Sequence, residues 1–324
     1  MTTKEQLLAL FEANRGVYFS GEEIARKLSV SRAAVWKAVK TLQNEGYAID
    51  AVTNKGYCLS AQTDILSAQG IQKYLNTEIK DMKISVLPTV SSTNSFVREQ
   101  ANNGAAPNSL VVANEQTAGR GRVGRSFYSP KDTGVYMSLL LRPKQYSAEQ
   151  AVSITTMAAV AVCEAIEAVS GEKAEIKWVN DIFVRGKKVC GILTEGSFGL
   201  ESGMLEYAVL GIGINLYQPE SGFSEELQPI AGAIFTARRN DAKNRLVSEF
   251  LNRFYGYYAE SYQSSYVEQY RKRCFVIGRQ VTLISANESK EAVVLGIDDR
   301  CRLLVKYLDG TEDCCSSGEI SIRF

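Results

Sequence analysis

"NEQTAGRGRVGRSFYSP", residues 114–130, places Gly119, Gly121 and Gly124 in the G-x-G-x-x-G spacing of a dinucleotide-binding turn. Such a turn needs a strand before the glycines and a helix after them, because the helix N-terminus holds the pyrophosphate. "SLVVANE" (109–115) reads as the strand, but "RSFYSPKDTG" (125–134) carries Pro130 and Gly134 and has no helical periodicity. No G-K-[ST] follows, so the segment is not a P-loop either. What stands between and after the glycines is Arg120, Arg122 and Arg125. Guanidinium forks suit phosphate and carboxylate, and glycine lets a backbone approach closely. Each charge pair at 4 Å is worth roughly 4 kcal/mol at an effective dielectric of 20, before desolvation. The like charges predict a self-repelling loop, mobile when free and ordered over an anion. The plainer alternative is a solvated basic turn.

The bulk composition narrows the chemistry. A chain of 324 residues with 45% hydrophobic and 23% charged residues is an ordinary globular protein of two or three domains. A net charge of +1 confines any nucleic-acid face to a local patch. There is no histidine, which removes Ser-His and Cys-His nucleophiles. Seven cysteines without C-x-x-C spacing argue against structural zinc and against a disulfide framework. Chemistry is left to carboxylates, lysines and arginines. "MTTKEQLLALFE" has no secretory pattern, and "AVSITTMAAVAVC" (151–163) reads as too short to span a bilayer. The expected setting is the reducing cytoplasm, with no membrane partner.

Residues 1–60 predict helices and a hairpin. "KEQLLALFEAN" is amphipathic, Ser20 with Glu23 is a capping box for a second helix, and Ser31 caps a third that stops at Gly46. On the third helix Val35, Ala38, Val39 and Leu42 form one buried stripe. The other face is basic and free of acids until Glu45. "YAIDAVTNKGYCL" alternates around Asn54-Lys55-Gly56, a hairpin wing. This is the winged helix-turn-helix pattern, against the alternative of a helical cap with a solvated basic face. The candidate DNA contacts are Ser31, Arg32, Ala33, Trp36, Lys37 and Lys40, with Lys55 of the wing. One such module covers little DNA, so useful affinity requires a dimer.

Beyond the polar stretch "SAQTD" (60–64) lies an α/β body, with strands at "KISVLPTV", "SLVVANE", "GVYMSLLL", "EIKWVND", "DIFVRGKKVCGILTEG" and "LEYAVLGIGINL". A long buried helix, capped at Ser147 and Gln150, and a second from Asp241 complete it. Residues 274–324 are short alternating runs, the size of a small β-barrel. Two further clusters stand out. "KWVNDIFVRGKKVCGILTE" (177–195) bunches Lys177, Asn180 and Asp181 at a strand end, with Lys187 and Lys188 in the next arm. "PTVSSTN" (88–94) is a hydroxyl-rich turn that a simple helix N-cap would also explain.

Together and in this order, "GRGRVGR", "KWVNDI", "GIGINL" and "SGEISIR" resemble the biotin–protein ligases that also serve as biotin operon repressors. The resemblance spans nearly the whole chain. It implies an α+β multidomain protein: a winged helix-turn-helix at 1–62, an α/β catalytic domain of the biotin/lipoate ligase type at 63–272, and a small SH3-like β-barrel at 273–324. It implies ATP-dependent activation of biotin to biotinyl-5′-AMP, transfer to a lysine of a biotin carboxyl carrier domain, and repression at operator DNA by an adenylate-loaded homodimer.

On the matching positions, Ser92, Thr93, Asn94 and Gln116 would contact biotin. Arg120, Gly121 and Arg122 would close over biotin and the adenylate, and Arg125 would assist the triphosphate. Lys188, rather than Lys187, would meet the biotin carboxylate and the α-phosphate. Asn180 and Asp181 would face nucleotide, Mg²⁺ and the incoming lysine. Asn215 and Arg323 would contact adenylate and ATP. The implied catalytic set is Lys188, Arg122 and Asp181. Two departures exist: Val179 stands where the pattern has proline, and "PIAGAIFT" (229–236) lacks the hydroxyl-rich pattern the resemblance leads one to expect there, so no nucleotide contact is assigned to it. A biotin sensor without ligase activity, a ligase whose N-terminal domain no longer binds DNA, and a lipoate ligase remain alternatives.

Overall fold

The computed structural model describes residues 1–143, 146–199, 201, 203–259, 264–284, 289–316 and 318–322. It divides into two compact units, Met1–Lys80 with Ala237–Ser248, and Asp81–Thr236 with Glu249–Phe324.

In the first unit α1 (Thr3–Ala13), α2 (Gly21–Leu28) and α3 (Arg32–Asn44) precede a hairpin of β1 (Ile49–Val52) and β2 (Gly56–Leu59). Ser31 accepts the Ala34 N–H at 3.2 Å and so caps α3. At α2 the structure records the Ser20 half of the expected box, Ser20 Oγ accepting from Glu23 N at 3.1 Å. Leu7, Phe11, Ile24, Val39, Leu42 and Leu59 are buried in one core, each contributing about 1.5–3 kcal/mol. Gly56 holds φ +99° where a Cβ would collide with the Phe19 carbonyl, which is why the wing turns on glycine.

A short helix, α4 (Ala68–Gln72), follows the wing. Here four charges close a ring within this unit. Arg15 pairs with Glu12 and Asp241, each at 2.8 Å, and Lys73 pairs with Glu12 at 2.9 Å and Asp241 at 2.7 Å. Burial alone would lower the pKa of Arg15 and of Lys73, but the carboxylates outweigh it and both are raised.

The second unit is built on a seven-stranded sheet. In chain order its strands are β3 (Lys83–Leu87), β4 (Ser109–Ala113), β5 (Gly134–Leu141), β6 (Ala174–Lys177), β7 (Asp181–Val184), β8 (Lys187–Phe198) and β9 (Leu205–Asn215). Their spatial order is β3-β4-β5-β9-β8-β7-β6, parallel only between β3 and β4. That one parallel pair is joined through α5 (Thr93–Asn102), as a crossover requires. On α5, Val97 and Ala101 pack on Val111, Leu140 and Val209. Against β6, β7, β8 and β9 lies α6 (Ala148–Ser170), opened by the expected Ser147–Gln150 box.

The apolar stretch read as too short for a membrane belongs to a longer helix: Gln150–Ser170 passes by length and composition. Its most apolar window is 61% buried, which fits a core helix. Helices α7 (Ala242–Ala259) and α8 (Ser264–Arg273) follow.

The last strands are β10 (Gln280–Ile284), β11 (Ser289–Ile297), β12 (Leu303–Tyr307), β13 (Glu312–Cys315) and β14 (Glu319–Ile322). They form an antiparallel sheet in the order β13-β12-β11-β10-β14. It is tied to the larger sheet at the "KWVND" segment, where Trp178 Nε1 donates to the Cys301 carbonyl at 3.0 Å; the Tyr270 hydroxyl of α8 donates to the Val179 carbonyl of the same segment at 3.0 Å.

Candidate active site

Sheet register assembles the site. Pairing runs Tyr136–Gly213–Gly191–Asp181–Lys177 across β5, β9, β8, β7 and β6. The adjacent row on the same face runs Ser138–Gly211–Leu193. Strict alternation would put Lys188 and Gly191 on opposite faces. A register shift between β7 and β8 pairs Phe183 with Lys188 and Ile182 with Cys190, and this brings Lys188 round to the face of Asp181. Lys188 Nζ lies 2.7 Å from Asp181 Oδ1, while Lys187 Nζ turns to the Gln228 and Pro229 carbonyls at 3.1 and 2.7 Å.

"GRGRVGR" folds into a tight hairpin and not a helix start. Arg120 bridges Ser126, and the Gly121 N–H donates to the Arg125 carbonyl at 2.7 Å. Val123 at φ +51° and Gly124 at φ +72° make the turn. The arginines expected to repel one another point to separate partners. Arg120 Nη1 pairs with Glu195 Oε1 at 3.0 Å. Arg122 donates to Asn180 Oδ1 at 3.0 Å and to the Gly318 carbonyl at 3.3 Å. Glu195 on β8, Asn180 in the turn before β7 and the Gly318 carbonyl take up the charge of Arg120 and Arg122.

One cleft gathers the predicted residues. Its lining includes Ser92, Thr93, Asn94 and Gln116 from the turn side; Arg120, Gly121, Arg122 and Arg125 from the hairpin; and Asn180, Asp181 and Lys188 from β7, β8 and the turn before β7. Arg120, Arg122, Arg125, Lys177 and Lys188 face one carboxylate, Asp181, so the lining suits a polyanion. Asn215 ends β9, and its carbonyl accepts from Ile234 N at 3.1 Å; it does not line this cleft. Arg323 lies outside the described residues. The predicted DNA contacts sit in the first unit, where Ser31, Arg32, Ala33, Lys37, Lys40 and Lys55 are exposed and Trp36 is 57% exposed.

Residues 86–215 match the Biotin/lipoate A/B protein ligase family, residues 3–58 the HTH domain, and residues 276–323 the Biotin protein ligase C terminal domain. The chain is 35% identical to the bifunctional ligase/repressor BirA of Bacillus spizizenii over 98% of each protein. The chain belongs to the biotin protein ligase family. Against the family's bifunctional ligase/repressor BirA of Escherichia coli it is 29% identical, covering 99% of this chain and 98% of that one. The biotin protein ligase of Aquifex aeolicus, solved in complex with biotin and ATP, superposes with a TM-score of 0.61 at 24% identity. That likeness covers 74% of this chain and 98% of that chain, and it is one of fold.

In this ligase the structure adds residues that the sequence reading passed over. A Cβ at Gly213 would come within 2.5 Å of the Phe127 ring, and one at Gly211 would collide with Asn94 Oδ1. "GIGINL" thus seats two cleft residues on bare backbone. Ser138, fully buried on β5, lies 2.6 Å from Asn94 Oδ1 and 2.7 Å from Thr93 Oγ1. Gln116 Oε1 accepts from Thr93 N at 2.9 Å, and Gln116 Nε2 donates to Ser129 Oγ at 3.0 Å. The hydroxyl-poor loop set aside earlier pairs by backbone with a site strand: Lys188 N donates to the Ile230 carbonyl at 2.8 Å, and Gly232 N to the Lys188 carbonyl at 2.9 Å. Spacing carries no signal for such pairing. Burial pushes the Cys190 thiol well above its ordinary range, with Asp181 adding to the shift, so it is an inert neighbour.

Proposed function

We propose that the chain activates biotin with ATP to biotinyl-5′-AMP, transfers the biotinyl group to a lysine of a biotin carboxyl carrier domain, and represses transcription at operator DNA as an adenylate-loaded dimer. The observation that carries the reading is the Lys188–Asp181 pair, 2.7 Å apart in a cleft that the arginine hairpin also lines.

In the first step a carboxylate oxygen of biotin attacks the α-phosphorus, the bond to the β-phosphate bridging oxygen breaks, and pyrophosphate leaves. The nucleophile is already ionised at neutral pH, so no base is required. Neutralised charge and in-line placement are required, and Lys188 and Arg122 supply them. Arg125 assists the triphosphate, while Asn180, with Arg323, holds the nucleotide.

In the second step the acceptor amine attacks the acyl carbon, the bond to the AMP oxygen breaks, and the amine loses a proton. Asp181 orients that amine or takes the proton.

Among the described residues no three His, Cys, Asp or Glu side chains converge to hold a metal. Asp181 would be the protein carboxylate that holds Mg²⁺, and the ion would neutralise triphosphate charge.

Ser92, Thr93, Asn94, Gln116 and Arg120 bind the ureido ring. Ser31, Arg32, Ala33, Trp36, Lys37, Lys40 and Lys55 meet DNA. A division at 1–62, 63–272 and 273–324 gives each activity its own domain. Seven unpaired cysteines suit the cytoplasm.

Incubation with ATP, biotin and a carrier domain, followed by blotting for biotin, tests the ligase; an unlabelled carrier would leave a sensor. A gel shift with the gene's upstream region tests the repressor. Sizing should move toward dimer with biotin plus ATP and not with biotin alone.

A further inference from the structure

Glu195, on β8, joins three groups that the reaction scheme leaves separate. Its Oε2 accepts from Asn94 Nδ2 at 2.9 Å, and its Oε1 pairs with Arg120 Nη1 at 3.0 Å and with Arg98 Nη1 at 3.5 Å. Asn94 is 4% exposed and sits over Gly211, so its amide has one seat and two orientations. A carboxylate only accepts hydrogen bonds. It draws the amide nitrogen to itself, alongside the Leu193 carbonyl at 3.3 Å, and turns Asn94 Oδ1 toward Ser138. Ser138 has one proton, and Oδ1, an acceptor 2.6 Å away, takes it. Ser138 Oγ also lies 2.7 Å from Thr93 Oγ1, whose own hydroxyl donates to Gln116 Oε1 at 3.1 Å. Asn94, Ser138 and Thr93 thus form one hydrogen-bonded cluster anchored on Glu195 and on Gln116. The Glu195 carboxylate also holds Arg120 as a donor at the cleft.

We propose that Glu195 is a positioning residue for biotin: it fixes the Asn94 amide, on which the Ser138 and Thr93 hydroxyls pack, and holds Arg120 as a donor at the cleft, where a cyclic urea presents N–H donors and a carbonyl acceptor. This inference rests on the biotin reading of the cleft. Glu195 touches no reacting atom in this scheme, so its loss acts on affinity and leaves the chemical step alone.

Glu195→Gln offers Asn94 an amide that can donate as well as accept, and it releases the charge hold on Arg120. Calorimetric titration with biotin should show affinity lowered roughly tenfold or more, the scale of a charge-assisted hydrogen bond. Pyrophosphate exchange should show the biotin KM raised in step, with kcat at saturating biotin and the ATP KM nearly unchanged. Glu195→Asp, which keeps the carboxylate, should recover part of the loss. Arg98→Ala, which removes the partner outside the cleft, should bind biotin normally and so controls for folding of this face. Unaltered biotin affinity in Glu195→Gln, or a fall in kcat without a change in KM, overturns the inference. If the unsubstituted protein itself fails to bind biotin, the functional reading fails first.

Discussion

Lys188 Nζ stands 2.7 Å from Asp181 Oδ1, and the two side chains are 30% and 21% exposed. The pair is half-open to the cleft, so an incoming amine can reach the carboxylate. Asp181→Asn leaves the Lys188 charge in place and removes the acceptor. Adenylate formation should persist, while single-turnover transfer from preformed biotinyl-5′-AMP slows by about 10²- to 10⁴-fold. Transfer at the original rate in a rapid-quench experiment would remove Asp181 from that step.

The floor of the cleft gives a second prediction. Gly213→Ala puts a methyl 2.5 Å from the Phe127 ring, and Gly211→Ala puts one on Asn94 Oδ1. Each should cost about 1–3 kcal/mol of stability by overpacking and should weaken biotin binding more than ATP binding. A titration in which both ligands weaken equally would point to general damage.

Arg122 bonds Asn180 and the Gly318 carbonyl. An adenylate in the cleft adds an anionic partner to the same hairpin. Trypsin cleavage at Arg120, Arg122 and Arg125 should slow when biotin and ATP are both supplied, read by mass spectrometry of the fragments. Equal cleavage with and without them argues that the hairpin does not close on the intermediate.

The charge ring of Glu12, Arg15, Lys73 and Asp241 predicts a stability change in the first unit. Asp241→Ala leaves its two cations sharing one acid and should destabilise that unit by roughly 3–5 kcal/mol. The pH dependence follows from Lys73, whose folded-state pKa is raised. A raised pKa means that the folded form holds its proton more tightly. The stabilisation is complete below the ordinary lysine value near 10.4 and is lost as pH rises through the raised value. Melting temperature should therefore show no pH dependence from Lys73 across neutral pH, where its stabilisation is fully present, and should fall in strong alkali, with Lys73→Met blunting the fall.

On the winged unit, Lys37 is exposed on α3. Lys37→Ala should weaken DNA binding similarly across sequences and reduce the salt slope by about 1, with ligation rates unchanged. A loss confined to one operator sequence would make Lys37 a base reader.

How much of this was legible in the chain depends on range. Helix caps at Ser31 and Ser147, the wing turn at Gly56 and the absence of a helix after Gly124 are local, set by side chains and φ preferences within a few residues. The winged helix, the α/β body and the run of small β-strands could be read on those terms, while the grouping of most candidate site residues came from the family resemblance of the motifs in their order. Glu195, Ser138, Phe127 and the seats at Gly211 and Gly213 could not. They meet because β9 inserts between β5 and β8 and because a register shift turns Lys188 toward Asp181. Strand order and register are fixed by packing across the whole sheet, and no short window of sequence records them. The arginine hairpin shows the same division: its charge and turn are written locally, while the partners that hold Arg120 and Arg122 come from β8, the turn before β7 and the C-terminal residues, distant segments that only folding brings within hydrogen-bond reach.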